Sequence, residues 1–266
     1  MKIYLLTYGD KQFKISKQHL ITLAKQSALF DYTVALGPDN LSNDFVKEYS
    51  DILNMPKGGG YWIWKHHIIE NMLNEMAPND ILIYCDAGAS LNLNYKALKR
   101  FNEYIEIINS SKFGILRMEC EKQFVESSYT IKQLFEYFQT TPFSKIGSNT
   151  QLQAGHMFFK KNNHTHEFIN IFKEVLRTDK NFITDMYNNK NQHNGFIENR
   201  HDQSIFSLIS KTLGSEIIEN ETEFRNRKNE QYEYPFLSVR RYNHGPKDKV
   251  KYFLFKKRMM SRTHYF

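Results

Sequence analysis

The run Ile81-Leu82-Ile83-Tyr84-Cys85 is continuously apolar and passes without a break into Asp86-Ala87-Gly88. A short run of this kind, bounded by turn residues, is a strand buried on both faces, as in a sheet with helices packed on either side. The flanking chain repeats the alternation. Ile3 to Thr7 is a buried strand ending in Tyr8-Gly9-Asp10, and Ser16 to Ser27 has helical spacing. Tyr32 to Leu36 is a second strand, closed by Gly37-Pro38-Asp39-Asn40, and Phe45 to Leu53 is helical. Lys57-Gly58-Gly59-Gly60 is expected to be a flexible loop before a helix over Tyr61 to Met76, with Trp64, Ile68 and Met72 on one face. Pro78-Asn79-Asp80 ends that helix.

Beyond Gly88 the expected elements are a helix over Tyr95 to Ile108, a strand over Phe113 to Met118 and a short helix over Ile131 to Phe138. A strand over Gln153 to Lys160, a helix over Thr165 to Leu176, an Asn-rich loop around Asn188 to Asn194 and a helix over His201 to Lys211 follow. Short strands and loops are expected past Glu216, and no repeat of solenoid period is present. Alternating strands and helices over 266 residues describe an α/β domain with helices on both faces of its sheet. Such sheets bind ligands at the carboxyl ends of their strands, where Asp86 and the Tyr8 to Asp10 turn both lie.

The formal net charge is +7, and the excess is concentrated near the C-terminus. Lys247, Lys249, Lys251, Lys256, Lys257, Arg258 and Arg262 face one acid, Asp248, over the stretch 247–262. An anionic partner is implied: a nucleoside diphosphate, a membrane surface or a nucleic acid. No aromatic RNA-binding signature, zinc-finger spacing or helix-turn-helix pattern accompanies the charge, so no nucleic acid is expected. Tyr252, Phe253, Leu254, Phe255, Met259 and Met260 interleave with the bases, which suits either a helix on an anionic membrane or a helix packed on the domain. Cys85 and Cys120 form no metal or disulfide spacing and are read as thiols of a reducing compartment. The opening MKIYLL lacks the layout of a secretory signal, and no apolar segment reaches membrane-spanning length. The expected location is cytoplasmic, with peripheral contact at the inner face of the plasma membrane through the tail.

Several residues could carry chemistry. Asp86, fixed at a sheet edge, can bind a divalent cation or a ribose hydroxyl, and a strand-terminating turn is the alternative reading of Asp-Ala-Gly. Lys65, one turn after Tyr61, can face Asp86 and a donor's phosphate or hydroxyls. Trp62 can stack on a sugar or base, whereas the spacing of Trp64 to Ile68 marks it as core. The three glycines are not a phosphate-binding loop, because Lys65 has the wrong spacing and no Ser or Thr follows it. Asp202 and Gln203 open a helix, where a carboxylate either caps amides or acts as a general base.

As a set, in this order, these segments resemble the GT-A glycosyltransferases. Gly58-Gly59-Gly60-Tyr61-Trp62-Ile63-Trp64-Lys65, a helix, and then Asp80 through Gly88 are similar to a subgroup of bacterial and viral polysaccharide loci that carries Asp-Ala-Gly in place of Asp-x-Asp. Gln151-Leu152-Gln153-Ala154-Gly155-His156 is similar to the small-residue segment beside the donor sugar, and His201-Asp202-Gln203-Ser204 to the Asp-Gln pair of family 8. Asn243-His244-Gly245-Pro246-Lys247 resembles the C-terminal metal- and diphosphate-binding segment of that family.

The resemblance implies a single GT-A domain over 1–246, with a Rossmann-like mixed sheet flanked by helices, followed by the basic tail 247–266. Its donor part would be roughly 1–118 and its acceptor part roughly 119–246. It implies a nucleotide-sugar donor held by Thr7, Tyr8, Gly9, Trp62, Lys65, Asp86, Ala87, Gly88, Gln153, Ala154, Gly155 and Lys247. Asp202 would be the general base of an inverting transfer, or Gln203 or Asp202 would stabilise positive charge beneath the anomeric carbon in a retaining one, and manganese or magnesium would sit on Asp86 and His244. Gly88 departs from the pattern by withholding the second carboxylate. The implied activity is transfer of a sugar to a glycan or lipid-linked glycan in surface polysaccharide or lipopolysaccharide synthesis, with the family 8 features pointing to retention. A nucleotidyl- or phosphotransferase on the same scaffold, or a non-catalytic carbohydrate- or nucleic-acid-binding module, stays open.

Overall fold

The structure is a computed structural model that describes residues 1–223 and 233–239. The tail from residue 240 onward, including Arg240, Arg241, His244 and Lys247, lies outside the described residues. A six-stranded sheet runs in the order β2-β1-β3-β6-β5-β7. Its strands are β1 (Ile3–Tyr8), β2 (Tyr32–Leu36), β3 (Ile81–Cys85), β5 (Ile115–Met118), β6 (His156–Lys160) and β7 (Glu216–Ile218). β1 pairs in parallel with β2 and β3, and β6 runs antiparallel to β3 and β5. Antiparallel β6 therefore begins where β3 ends, with Cys85 opposite His156. The segment leading into β6 is thereby placed beside Asp86.

Alternation along each strand divides the interior into two layers. Leu82 and Tyr84 of β3, Leu6 of β1 and Met157 and Phe159 of β6 pack against the helices Trp64–Glu75, Asn163–Thr178 and Asp202–Leu213. Ile81, Ile83 and Cys85, with Leu5 and Phe158, pack against the helices Lys14–Ser27 and Tyr95–Ser110. A small second sheet, β4 (Ala89–Leu91) with β8 (Phe236–Ser238), covers part of that second layer. Asp86 comes two residues after Tyr84 and so projects to the same face as Tyr84.

Three expectations from the sequence are corrected. The glycine segment is a built turn: Gly58, Gly59, Gly60, Tyr61 and Trp62 all have positive φ, between 53° and 92°. The helix after it consequently starts at Trp64, not Tyr61. The strand expected over Gln153 to Lys160 begins at His156, because 153–155 is a loop whose backbone serves other partners. Glycine is required at the turn for two reasons besides φ. A Cβ on Gly58 would stand 2.5 Å from the Trp62 ring, and one on Gly60 would stand 2.7 Å from Leu53 Cα. Tyr61 and Trp62 carry side chains in a region of backbone space that disfavours them. They are held there by Tyr61 N–H donating to Lys57 O at 2.7 Å and by Tyr61 OH donating to Asp185 Oδ2 at 3.1 Å.

Gly60→Ala is expected to destabilise the protein by about 2 kcal/mol, the scale of a strained backbone with a forced contact. Urea unfolding of the two proteins measures it.

Candidate active site

The site is assembled around one lysine. Lys65 lies in the first turn of Trp64–Glu75 and its side chain is 2% exposed. Trp64, one residue earlier, stacks on Tyr8 with ring centroids 3.8 Å apart, which anchors the start of that helix on the end of β1. Lys65 Nζ stands 2.6 Å from Asp202 Oδ2 and 3.4 Å from Asp86 Oδ1, and it donates to Ala154 O at 3.1 Å. The Tyr84 ring lies 5.1 Å below the ammonium, and Tyr84 OH donates to Asp86 Oδ1 at 2.7 Å. Four chain segments thus meet at one cation.

The two carboxylates differ in environment. Asp86 is 44% exposed, and its Oδ2 lies beside Gly155, where a Cβ would come within 3.2 Å of it. Its backbone N–H donates to Gly155 O at 2.8 Å, locking the strand end to the incoming loop. Asp202 is buried at the first residue of Asp202–Leu213, where the positive end of the helix dipole favours an anion. Burial nevertheless pushes its carboxyl up to about 6, with Lys65 pulling against that shift. Oδ2 sits in ion-pair contact with Lys65 but accepts no aligned hydrogen bond. Burial alone would depress the Lys65 ammonium, yet the charges of Asp202 and Asp86 outweigh it and hold the group above its ordinary value. The ammonium therefore stays charged at neutral pH.

Lys65, Asp86, Ala154, Gly155, Asp202 and Gln203 are thus brought together, with Gly88 partly exposed two residues beyond Asp86. The other residues proposed from sequence stand around them. Thr7 is fully buried in β1, Tyr8 is buried under Trp64, and Ala87 is buried at the strand end. Gly9 fits against that end: a Cβ there would meet Ala87 Cβ at 3.2 Å and Phe13 Cβ at 2.6 Å. Trp62 lies between Gly58 on one side and the His201 ring on the other, stacked at 5.7 Å. Gln153 is buried, accepting from Thr222 Oγ1 at 3.0 Å while its carbonyl accepts from the buried Arg117 at 2.8 Å. His156 is buried too, and burial holds its ring down at about 4, hence neutral.

Sequence reasoning missed several participants. Tyr84 was readable in principle, being two residues before Asp86 on one strand face. Asp185 was not: it comes from a loop more than a hundred residues away in sequence to accept from Lys57 Nζ and Tyr61 OH, both at 3.1 Å. His201 has φ 59° and ψ −125°, donates from Nδ1 to Ile183 O at 2.8 Å, and stacks on Tyr61 and Trp62. Burial keeps its ring at about 4, so it is a neutral brace between the glycine turn and the helix that carries Asp202.

A divalent cation does not fit the described residues by themselves. Hard cations require several oxygen donors. Asp86 supplies one carboxylate with an ammonium already on it, Gly88 supplies none, and no group of three His, Cys, Asp or Glu able to hold a metal occurs among the described residues. His244, the second metal ligand implied by the family resemblance, lies outside them.

No protein-family model matches the chain, and no curated protein sequence matches it significantly. Solved structures do match it. The apo structure of the bifunctional glycosyltransferase WbbM superposes with a TM-score of 0.52 at 11% identity, covering 98% of this chain. The fold is that of a GT-A glycosyltransferase. The match takes in 51% of WbbM, so this chain spans about half of that protein. A glycosyltransferase involved in glycosylation of the major capsid of PBCV-1 is similar at TM-score 0.47 and 10% identity, covering 94% of this chain and all of that one. Mouse xyloside xylosyltransferase 1 gives a TM-score of 0.45 at 11% identity, over 83% of this chain and 86% of its own. At such identities the likeness is one of fold.

Lys65→Met strands Asp202 in the interior without its cation. The expected loss of stability at pH 7 is about 3–5 kcal/mol, shrinking at pH 5, where Asp202 is protonated. The sign follows from the raised carboxyl: its neutral form is favoured by folding, and more strongly once Lys65 no longer pulls it down, so the burden grows as pH rises above the ordinary carboxylate range and is larger at pH 7 than at pH 5. Urea unfolding at the two pH values measures both quantities.

Proposed function

We propose that this protein is a glycosyltransferase that moves a sugar from a nucleoside-diphosphate sugar to a carbohydrate acceptor. The observation that carries the reading is the Asp86–Lys65–Asp202 cluster at the carboxyl edge of β1 and β3, the place where an open α/β sheet binds its ligand. One ammonium against two carboxylates leaves the cluster anionic when both are ionised. Such a cluster suits neutral sugar hydroxyls, which donate to carboxylates, better than it suits a diphosphate. Asp86 and Asp202 would therefore orient the donor's sugar ring, with Lys65 fixing both carboxylates and donating where a hydroxyl oxygen comes near.

The diphosphate requires positive charge from elsewhere. The sequence supplies it in Lys247 and the basic residues after it, and a divalent cation shared by Asp86 and a donor outside the described residues would do the same. The fold supports sugar transfer in general terms. Retention of configuration, a lipid-linked acceptor in surface polysaccharide or lipopolysaccharide assembly, and a cytoplasmic, membrane-touching location are finer parts of the proposal and rest on the motif resemblance.

Asp202, with its carboxyl raised to about 6, is poised to exchange a proton near neutral pH. Turnover is expected to rise with pH through about 6 and then level. In Asp202→Asn that limb disappears and turnover falls about 100-fold or more, the scale of general acid–base catalysis. A thermal-shift screen of nucleoside-diphosphate sugars, with and without manganese, tests the reading itself. A selective stabilisation that is absent in a folded Asp86→Ala variant, with release of nucleoside diphosphate, supports it. Release of pyrophosphate or nucleoside monophosphate would instead mark chemistry at phosphorus and overturn it.

A further inference from the structure

Behind Gln203 runs a chain of buried polar groups that sugar binding does not require. Glu126 is fully buried, and its Oε2 accepts from Lys211 Nζ at 2.8 Å and from Ser207 Oγ. Its Oε1 accepts from Thr130 Oγ1 at 2.6 Å and from Gln151 Nε2 at 3.0 Å. Gln151 is fully buried as well, and its Oε1 accepts from Gln203 Nε2 at 2.7 Å. At the far end, Gln203 Oε1 accepts from Ala154 N–H at 3.4 Å.

A side-chain amide can ordinarily turn over, exchanging its oxygen for its nitrogen. Here both ends of the relay forbid it. A carboxylate ion-paired with lysine can only accept, so Gln151 must turn its NH2 toward Glu126. Tyr129 O, which also takes that NH2 at 3.3 Å, can only accept too. Gln151 then presents oxygen to Gln203, which must answer with its own NH2. The backbone N–H of Ala154 can only donate, so it requires oxygen from Gln203. Reversing Gln203 would set oxygen against oxygen at Gln151 and N–H against NH2 at Ala154, leaving buried polar groups unpaired.

We propose that Glu126 and Gln151 are positioning residues that hold the Gln203 amide in one sense, with its carbonyl oxygen turned to the Ala154–Gly155 loop beside Asp86. The inference rests on the reading of Gln203 as a donor-site residue. Presented this way, Gln203 can stabilise positive charge on a sugar ring or accept from a hydroxyl. Its NH2, committed inward to Gln151 and to Cys120 Sγ at 3.6 Å, is not offered to the ligand. Orientation would therefore be set by a buried ion pair two residues removed from the ligand.

Gln151→Met keeps length and removes both ends of the relay. The expected result is a kcat for sugar transfer lowered about tenfold, the scale on which loss of an orienting partner acts at metal ligands, with the donor KM unchanged. In a Gln203→Ala background the same substitution is expected to change nothing further, because its effect passes through Gln203. If the two losses multiply, or if KM rises instead, the proposal is overturned. Should Gln151→Met fail to fold, the charge-balanced pair Glu126→Gln with Lys211→Gln is used in the same cycle. Nitrogen-15 NMR supplies a readout independent of turnover: the Gln203 NH2 protons should exchange slowly in the wild type and faster in Gln151→Met. Fast exchange in the wild type overturns the proposal even if sugar transfer is observed. Absence of transfer with slow exchange overturns the functional reading and leaves the relay standing.

Discussion

A lysine that is 2% exposed stays charged only if its surroundings replace the water it has lost. Lys65 does so with two carboxylates, a carbonyl and a tyrosine ring, delivered by three other segments of the chain. The requirement is strict in both directions. Without the lysine, Asp202 would be an unpaired acid in the interior. Without the carboxylates, the ammonium would be an unpaired cation there. The end of β3, the loop before β6, the start of Trp64–Glu75 and the start of Asp202–Leu213 must therefore converge for any of them to be tolerable. That convergence makes the site rigid before any ligand arrives, which is the property that electrostatic catalysis needs.

Much of this was legible in the sequence, and for local reasons. Ile81 to Cys85 is apolar at every position because both of its faces are covered, so its end at Asp86 could be placed without coordinates. Asp202 and Gln203 could be placed because they open an apolar helix. The position of Lys65 follows from its spacing to the glycines, but its burial does not, since a lysine near a helix start is ordinarily a solvated one. The contacts that decide its role join positions 65, 86, 154 and 202, and no local pattern encodes such pairings. Asp185 and Glu126 were invisible for the same reason.

The glycine segment shows how composition can mislead. Three glycines in a row suggest mobility, because glycine leaves the backbone free. In the folded protein they instead permit a left-handed turn in which a side chain on Gly58 would strike the Trp62 ring and one on Gly60 would strike Ile52 and Leu53. Tyr61, Trp62 and the strained His201 then lock the turn to the helix bearing Asp202. Strained residues collected at one corner of a fold are tolerated when neighbouring contacts over-determine them, and here those contacts also fix the site.

The most direct test of this account is a crystal structure of the protein with an intact nucleoside-diphosphate sugar. The sugar ring is expected over Lys65, with its hydroxyls within hydrogen-bond reach of Asp86 Oδ2 and Asp202. A sugar seated away from both carboxylates, with the Lys65 cluster untouched beneath it, would contradict the account.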